Sequence, residues 1–324
     1  MKTIYLLSIV ILITTSCKKS SSPSSIYTDV VVEDTLNAWV KVQVDAPEID
    51  DIFFTSPSKG MLVTGINGIF SSSDGGNTWD SIPGTKSIPA YNLQFVDSLN
   101  GFAQGFDLWA TDDGGKTWTD KLSSNYAKDI QFLSPYTGFY YNSSYGIFST
   151  RNGGASWEKS LAINVFDGNV QGYPFFFLDS LRGFSMMNGS SYKTTDGGLS
   201  WTKLGNVTTR DFTGHYKMQF LDTLTGYCGT PEGLLKTTNG GKNWVTCFKM
   251  TNPQVIFQLP RFFDIDNGYL MTNDGIYKTT NGGQTWSTSC RIGGGLSFKS
   301  IFFLDINTGW ATVGISNYFL MLKP

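Results

Sequence analysis

One eight-residue phrase, written six times, limits this chain more than any other feature. It reads SSDGGNTW ending at Trp79, TDDGGKTW at Trp118, TRNGGASW at Trp157, TTDGGLSW at Trp201, TTNGGKNW at Trp244 and TTNGGQTW at Trp286. A recurrence of about forty residues marks a repeat architecture, in which neighbouring units bury a core that none of them buries alone. The acidic or amide position (Asp74, Asp113, Asn152, Asp196, Asn239, Asn281) accepts backbone N–H groups further along a tight turn. The paired glycines take positive φ angles that a side chain would forbid. The Thr or Ser restarts an extended strand, and the Trp is an anchor able to bury roughly 150–250 Å².

A second phrase alternates with the first. An aromatic-rich strand is followed by Asp or Ser, three variable residues, Gly and a large apolar residue. Its copies begin at Phe54, Phe95, Phe132, Phe177, Phe220, Phe262 and Phe303. Adding Trp39 to the six octet tryptophans gives seven of each. Each unit then holds four short antiparallel strands, the composition of a propeller blade. Aromatics at 15%, 36 glycines and only 15% charged residues suit such a protein, and no stretch shows sustained helical periodicity. The repeats begin with a fourth strand at Trp39 and end with only three. The spacing therefore predicts an all-β, seven-bladed β-propeller of four-stranded antiparallel blades over residues 37–324, its ring closed by the N-terminal strand joining the last blade.

Ahead of the repeats, Lys2 precedes an apolar run from Ile4 to Ile13, then Thr14, Thr15, Ser16 and Cys17. Residues 1–16 have the layout of a secretory signal, too short to span a bilayer. Residues 17–36 open with a Ser-rich polar tract that reads as a tether. The segment ending at Cys17 resembles the lipobox of bacterial lipoproteins, with Thr14 where that family usually has Leu. The resemblance implies lipidation of Cys17, and anchoring to a bacterial membrane within the cell envelope, periplasmic or surface-exposed.

Variation in spacing collects between each Trp and the next repeat Gly. These connections share one face of the disc, and recognition concentrates on loops held by a rigid scaffold. Arg210, His215, Lys217, Arg261 and Arg291 fall in or beside the longest of them, with Lys299 following. Together they would form a basic sector for an anionic peptide, carboxylate or glycan; the simpler reading is separate solvated charges. Glu48, Asp50 and Asp51 read as a solvated strand entry.

His215 is the only histidine, so no metal cluster or catalytic triad built on imidazoles is expected, and no phosphate-binding glycine loop is present. No cofactor or metal is expected. A net charge of −2 argues against general nucleic-acid binding. Cys228, Cys247 and Cys290 are expected to be buried free thiols.

The octet resembles the Asp box, or bacterial neuraminidase repeat. With the second phrase it is most similar to the propellers of photosystem II stability and assembly factors, a repeat also found in lipoproteins of bacteria without photosystems. That resemblance implies a non-enzymatic scaffold that binds another protein. Sialidases share the box but need three arginines on a carboxylate, and no arginine precedes Arg151 here. Xyloglucan-cleaving glucanases use two facing propellers, and this chain has one. A carbohydrate-binding propeller, using exposed aromatics as sugar platforms, and a sialidase-like glycoside hydrolase are the alternatives.

Overall fold

The computed structural model describes residues 32–33, 39–44, 48–122, 127–142, 146–162, 175–187, 189–207, 217–230, 233–249, 257–273, 275–293, 296–314 and 317–322. The described chain is a seven-bladed propeller of antiparallel sheets, whose strands follow in sequence order from the axis outwards except that N-terminal strands supply the outermost positions of blades 6 and 7. Blades 1–7 have inner strands at Asp51–Phe54, Ala90–Phe95, Ala127–Phe132, Phe175–Phe177, Met218–Phe220, Phe257–Phe262 and Phe298–Asp305. Outer strands of blades 1–6 start just after the octet Trp, from Asp80–Ser81 in blade 1 to Ser287–Ile292 in blade 6.

The repeated Phe sets the blade spacing. Phe54, Phe95, Phe132, Phe177, Phe220, Phe262 and Phe303 are all buried. Each covers the Gly six residues later in its own blade, where a Cβ would stand only 2.4–2.7 Å from ring carbon. That approach is why the phrase needs glycine. On its other side the ring meets the preceding blade. Phe132 stacks on Phe102 at 3.4 Å, Phe177 on Phe139 at 3.4 Å, Phe220 on Phe184 at 3.6 Å and Phe262 on Tyr227 at 3.6 Å. At the seam, Phe54 of blade 1 stacks on Trp310 of blade 7 at 3.7 Å. Each Phe also meets a Trp edge-on, with centroids 5.8–6.2 Å apart. Burying one such ring contributes about 1.5–3 kcal/mol, and its aromatic pairing about 0.5–1.5 kcal/mol more.

The octet turns behave as their letters require. Their glycines have φ between 67° and 90°. Asp74 Oδ1 accepts the Thr78 N–H at 2.9 Å and the Ser72 hydroxyl at 2.8 Å, and Oδ2 accepts the Thr78 hydroxyl at 2.6 Å. Asn152 and Asn281 keep the acceptor and donate through Nδ2 to Ser156 and Thr285, each at 2.8 Å. The first octet glycine of each of blades 1–6 donates to the turn between strands one and two, as Gly114 does to Leu99 at 2.8 Å. Both turns therefore share one face, here termed the octet face; the connections between blades lie on the opposite, loop face.

Ring closure follows the expected phase. Trp39–Gln43 pairs antiparallel with Tyr318–Leu322, and Trp39 meets Phe303 edge-on at 6.2 Å in place of an octet Trp. Two findings differ from the sequence reading. Val32 and Glu33, inside the stretch expected to be a tether, form a further strand on the outer edge of blade 6, so strand structure starts before residue 37. The six octet tryptophans are half-buried, whereas Trp39, in the place of a seventh, is buried, because the Phe occupies the space between blades.

Phe177→Ala should thus cost about 3–5 kcal/mol and Gly183→Ala about 1–3 kcal/mol, both exceeding Trp201→Ala in urea unfolding. A larger cost at Trp201 would contradict this ranking.

Candidate functional site

Inner strands run from the loop face to the octet face, so equivalent positions form layers around the axis. One residue before the repeated Phe stand Gln94, Gln131 and Gln219. Gln94 Nε2 donates to the carbonyl of Phe132 at 2.7 Å while its Oε1 accepts the Phe132 N–H at 2.8 Å. Gln131 does the same to Phe177 and Gln219 to Phe262. These are clasps between neighbouring blades. Blade 6 has Arg261 at this position, with its guanidinium 5.7 Å from the Phe263 ring. Arg261 keeps contact with water, yet the protein around it pulls its pKa down through burial.

Three residues before the Phe stand Asp51, Asn92, Asp129, Lys217 and Ser300 on blades 1, 2, 3, 5 and 7. Lys217 bonds Asp129, and because blade 4 lies between blades 3 and 5 this ion pair spans the inner edge of blade 4. Asp51 is buried and joins three blades: it accepts the Leu93 N–H of blade 2 at 2.7 Å, its neighbour Ile52 N–H at 2.9 Å and the Ser300 hydroxyl of blade 7. Burial pushes its pKa up to about 6, despite those three donors. One residue nearer the loop face, Lys299 bonds Asp50 and also Glu48 at 2.9 Å. Burial raises the pKa of Asp50, with Lys299 opposing it.

Glu48, Asp50 and Asp51 are thus no solvated strand entry. Asp50 and Asp51 are buried because the closure seam runs past them, and only Glu48 is exposed. On the loop face of blades 1 and 2 a small apolar patch lies beside them. Ile66 is 76% exposed, and Tyr91 meets Phe106, 54% exposed, edge-on at 6.0 Å.

Of the residues expected to make one basic sector, the three that are described, Lys217, Arg261 and Arg291, are not brought together. Lys217 is half-buried at the axis, neutralised by Asp129. Arg261 belongs to the inner strand of blade 6 rather than to the loop before it. Arg291 lies on that blade's outermost strand but one, over the Tyr277 ring at 5.8 Å and donating to its hydroxyl at 3.3 Å. Arg210, His215 and Cys17 lie outside the described residues. Four arginines are described, Arg151, Arg182, Arg261 and Arg291, and they sit in a blade 3 octet, a blade 4 turn and opposite sides of blade 6. Cys228 and Cys290 are buried free thiols and Cys247 is half-buried and free. Sequence reasoning named Lys299 and Asp51 but missed their roles at the seam, and it missed the clasps, for which the recurrence of Gln immediately before Phe was the available signal.

No family model matches the chain, and no curated protein matches it in sequence. Solved structures do. YCF48 bound to D1 peptide superimposes with TM-score 0.66 at 18% identity, over 89% of this chain and 97% of that one. YCF48 from Cyanidioschyzon merolae gives 0.65 at 19%, over 89% and 99%. The likeness is one of fold. The GH74 enzyme of Niastella koreensis gives 0.61 at 12%, over 88% of this chain but only 53% of that enzyme.

The buried Asp51 carries a pH prediction. Its folded pKa, about 6, lies above the ordinary aspartate value of 3.8. Stability from this group is therefore full below about pH 4 and lost as pH rises through 6, by about 3 kcal/mol. Relative to Asp51→Asn, the wild type should lose that much between pH 4 and 7.5 in urea unfolding. A difference that does not change with pH would contradict the assignment.

Proposed function

We propose that this chain is a non-catalytic, lipid-anchored propeller of the cell envelope that binds another protein through its loop face. The observation that carries the reading is the whole-length match to a one-propeller protein captured with a peptide, against a match to only half of a glycoside hydrolase. The dispersal of the described arginines is consistent with it, since gripping a sialic acid carboxylate would need several on one point.

The binding patch in this reading is Ile66, Tyr91 and Phe106, with the Lys299–Asp50–Glu48 cluster at its edge. Exposed aromatics bury large area at low entropic cost, and a neighbouring fixed charge orients the partner. Ring closure positions the patch, because the cluster joins Lys299 of blade 7 to Glu48 and Asp50 at the entry to blade 1. No cofactor is required. Lipidation at Cys17 would hold the propeller at a membrane, and Cys17→Ser should move the protein from the membrane to the soluble fraction; unchanged membrane recovery would oppose the anchor.

The binding test is a cross-linked pull-down from native envelope, comparing wild type with Tyr91→Ala/Phe106→Ala. Recovery of a defined protein that falls at least tenfold with the variant supports the reading. Equal recovery by both removes the patch from it. Recovery of no protein, with binding to a soluble polysaccharide that the variant loses, would replace it by the carbohydrate reading.

A further inference from the structure

The opposite face carries its own pattern. Leu99, Tyr136, Leu181 and Leu224 occupy one repeated position, in the turn from first to second strand of blades 2–5, and are 54–68% exposed. The backbone of each is fixed, because its carbonyl accepts the N–H of the first octet glycine at 2.8–2.9 Å. On blade 6 the adjacent Ile265 is 60% exposed and continues the arc. The turn itself needs no apolar residue: Ser58 makes the same bond in blade 1, and Asn307 stands there in blade 7. Single exposed apolar residues are ordinary. One on the same face of five consecutive blades is an arc that the fold does not require.

The arc is set in negative charge. Asp97, Asp179, Asp222 and Asp264 each accept two turn N–H groups beside it. The octet carboxylates Asp113 and Asp196 are held at about 2, by the hydroxyls of Thr117 and Ser200 first of all. Among the basic residues of this arc, Arg182 is tied to Asp179 and Arg151 lies 4.0 Å from Glu158. Lys116 and Lys242 are the other bases in these turns and octets, and Lys236 on the adjoining strand donates to the carbonyl of the octet glycine Gly282 at 2.7 Å. Within these turns and octets acid outnumbers base by eight to four, and hydrogen bonds hold the carboxyls of Asp97, Asp113, Asp179, Asp196 and Asp264 below the usual range.

We propose that the octet face of blades 2–6 is a second interaction surface, taking an amphipathic segment of a partner protein that carries basic and apolar side chains. Its charge opposes an anionic lipid surface and opposes the same arc of a second copy, while its leucines and tyrosine favour more than a counter-charge. The surface is independent of the loop-face patch, which lies on the other side of the disc.

The test uses a synthetic helical peptide with leucines on one face and lysines on the other, titrated by calorimetry into the full chain. The wild type should bind it saturably. Leu99→Ser/Tyr136→Ser/Leu181→Ser/Leu224→Ser should weaken binding at least tenfold, and Tyr91→Ala/Phe106→Ala should leave it unchanged. If the quadruple variant does not fold, Leu181→Ser/Leu224→Ser replaces it, with at least a threefold loss expected. Wild-type affinity in the folded variant would overturn the proposal. So would equal binding of a Lys–Ser peptide of the same charge. So would binding of phosphatidylcholine–phosphatidylglycerol vesicles that the variant loses, or a concentration-dependent dimer that the variant abolishes.

Discussion

The fold rests on a phenylalanine lying against a glycine. In each blade the repeated Phe covers a glycine of its own sheet at a distance no Cβ could survive, and most of these rings stack on an aromatic of the blade before. Strand ladders stop at the blade edge, so ring contacts of this kind, with the glutamine clasps and side-chain bonds such as Ser160 to the Gly198 carbonyl, hold one blade to the next. A seven-part ring made this way is rigid at the axis, where the inner strands meet. Loops on one face and turns on the other are then free to vary without loss of the core.

The closure seam is chemically different from the other junctions. Blades 2–3, 3–4 and 5–6 use an uncharged amide clasp. Blades 7, 1 and 2 are joined by the carboxylate of Asp51, with Lys299, Asp50 and Glu48 beside it. A buried carboxylate is costly, and its raised pKa reflects that cost. Its placement at the seam is a physical account of why an acidic pair stands at the entry of the first blade. The N-terminal segment adds a second fastening, pairing first along blade 6 and then along blade 7.

Much of this was legible in the sequence because the repeat is strict where geometry is strict. Asp74 and its counterparts, the paired glycines and the Phe–Gly spacing each answer one backbone or packing requirement, so the blade number and ring phase could be read directly. The depth of the tryptophans was less legible, since composition does not reveal that Phe177 rather than Trp201 fills the space between blades. Charged residues were the least legible. Lys217 and Arg261 looked like loop cations, but register carries one to the axis beside Asp129 and the other to a clasp position. Arg291 shares a blade with Arg261 but stands three strands further out. Distance in the sequence says little about distance across a ring.

The closed ring, and with it the seam that sets Lys299 beside Asp50 and Glu48, depends on the N-terminal strand completing blade 7. Val40 and Met321 are directly opposed across that junction. Replacing both with Cys and mapping disulfides by mass spectrometry tests the closure most directly. The account predicts a Cys bond joining positions 40 and 321 under mild oxidation, with a raised Tm. A pair that stays reduced while the protein remains folded would contradict it.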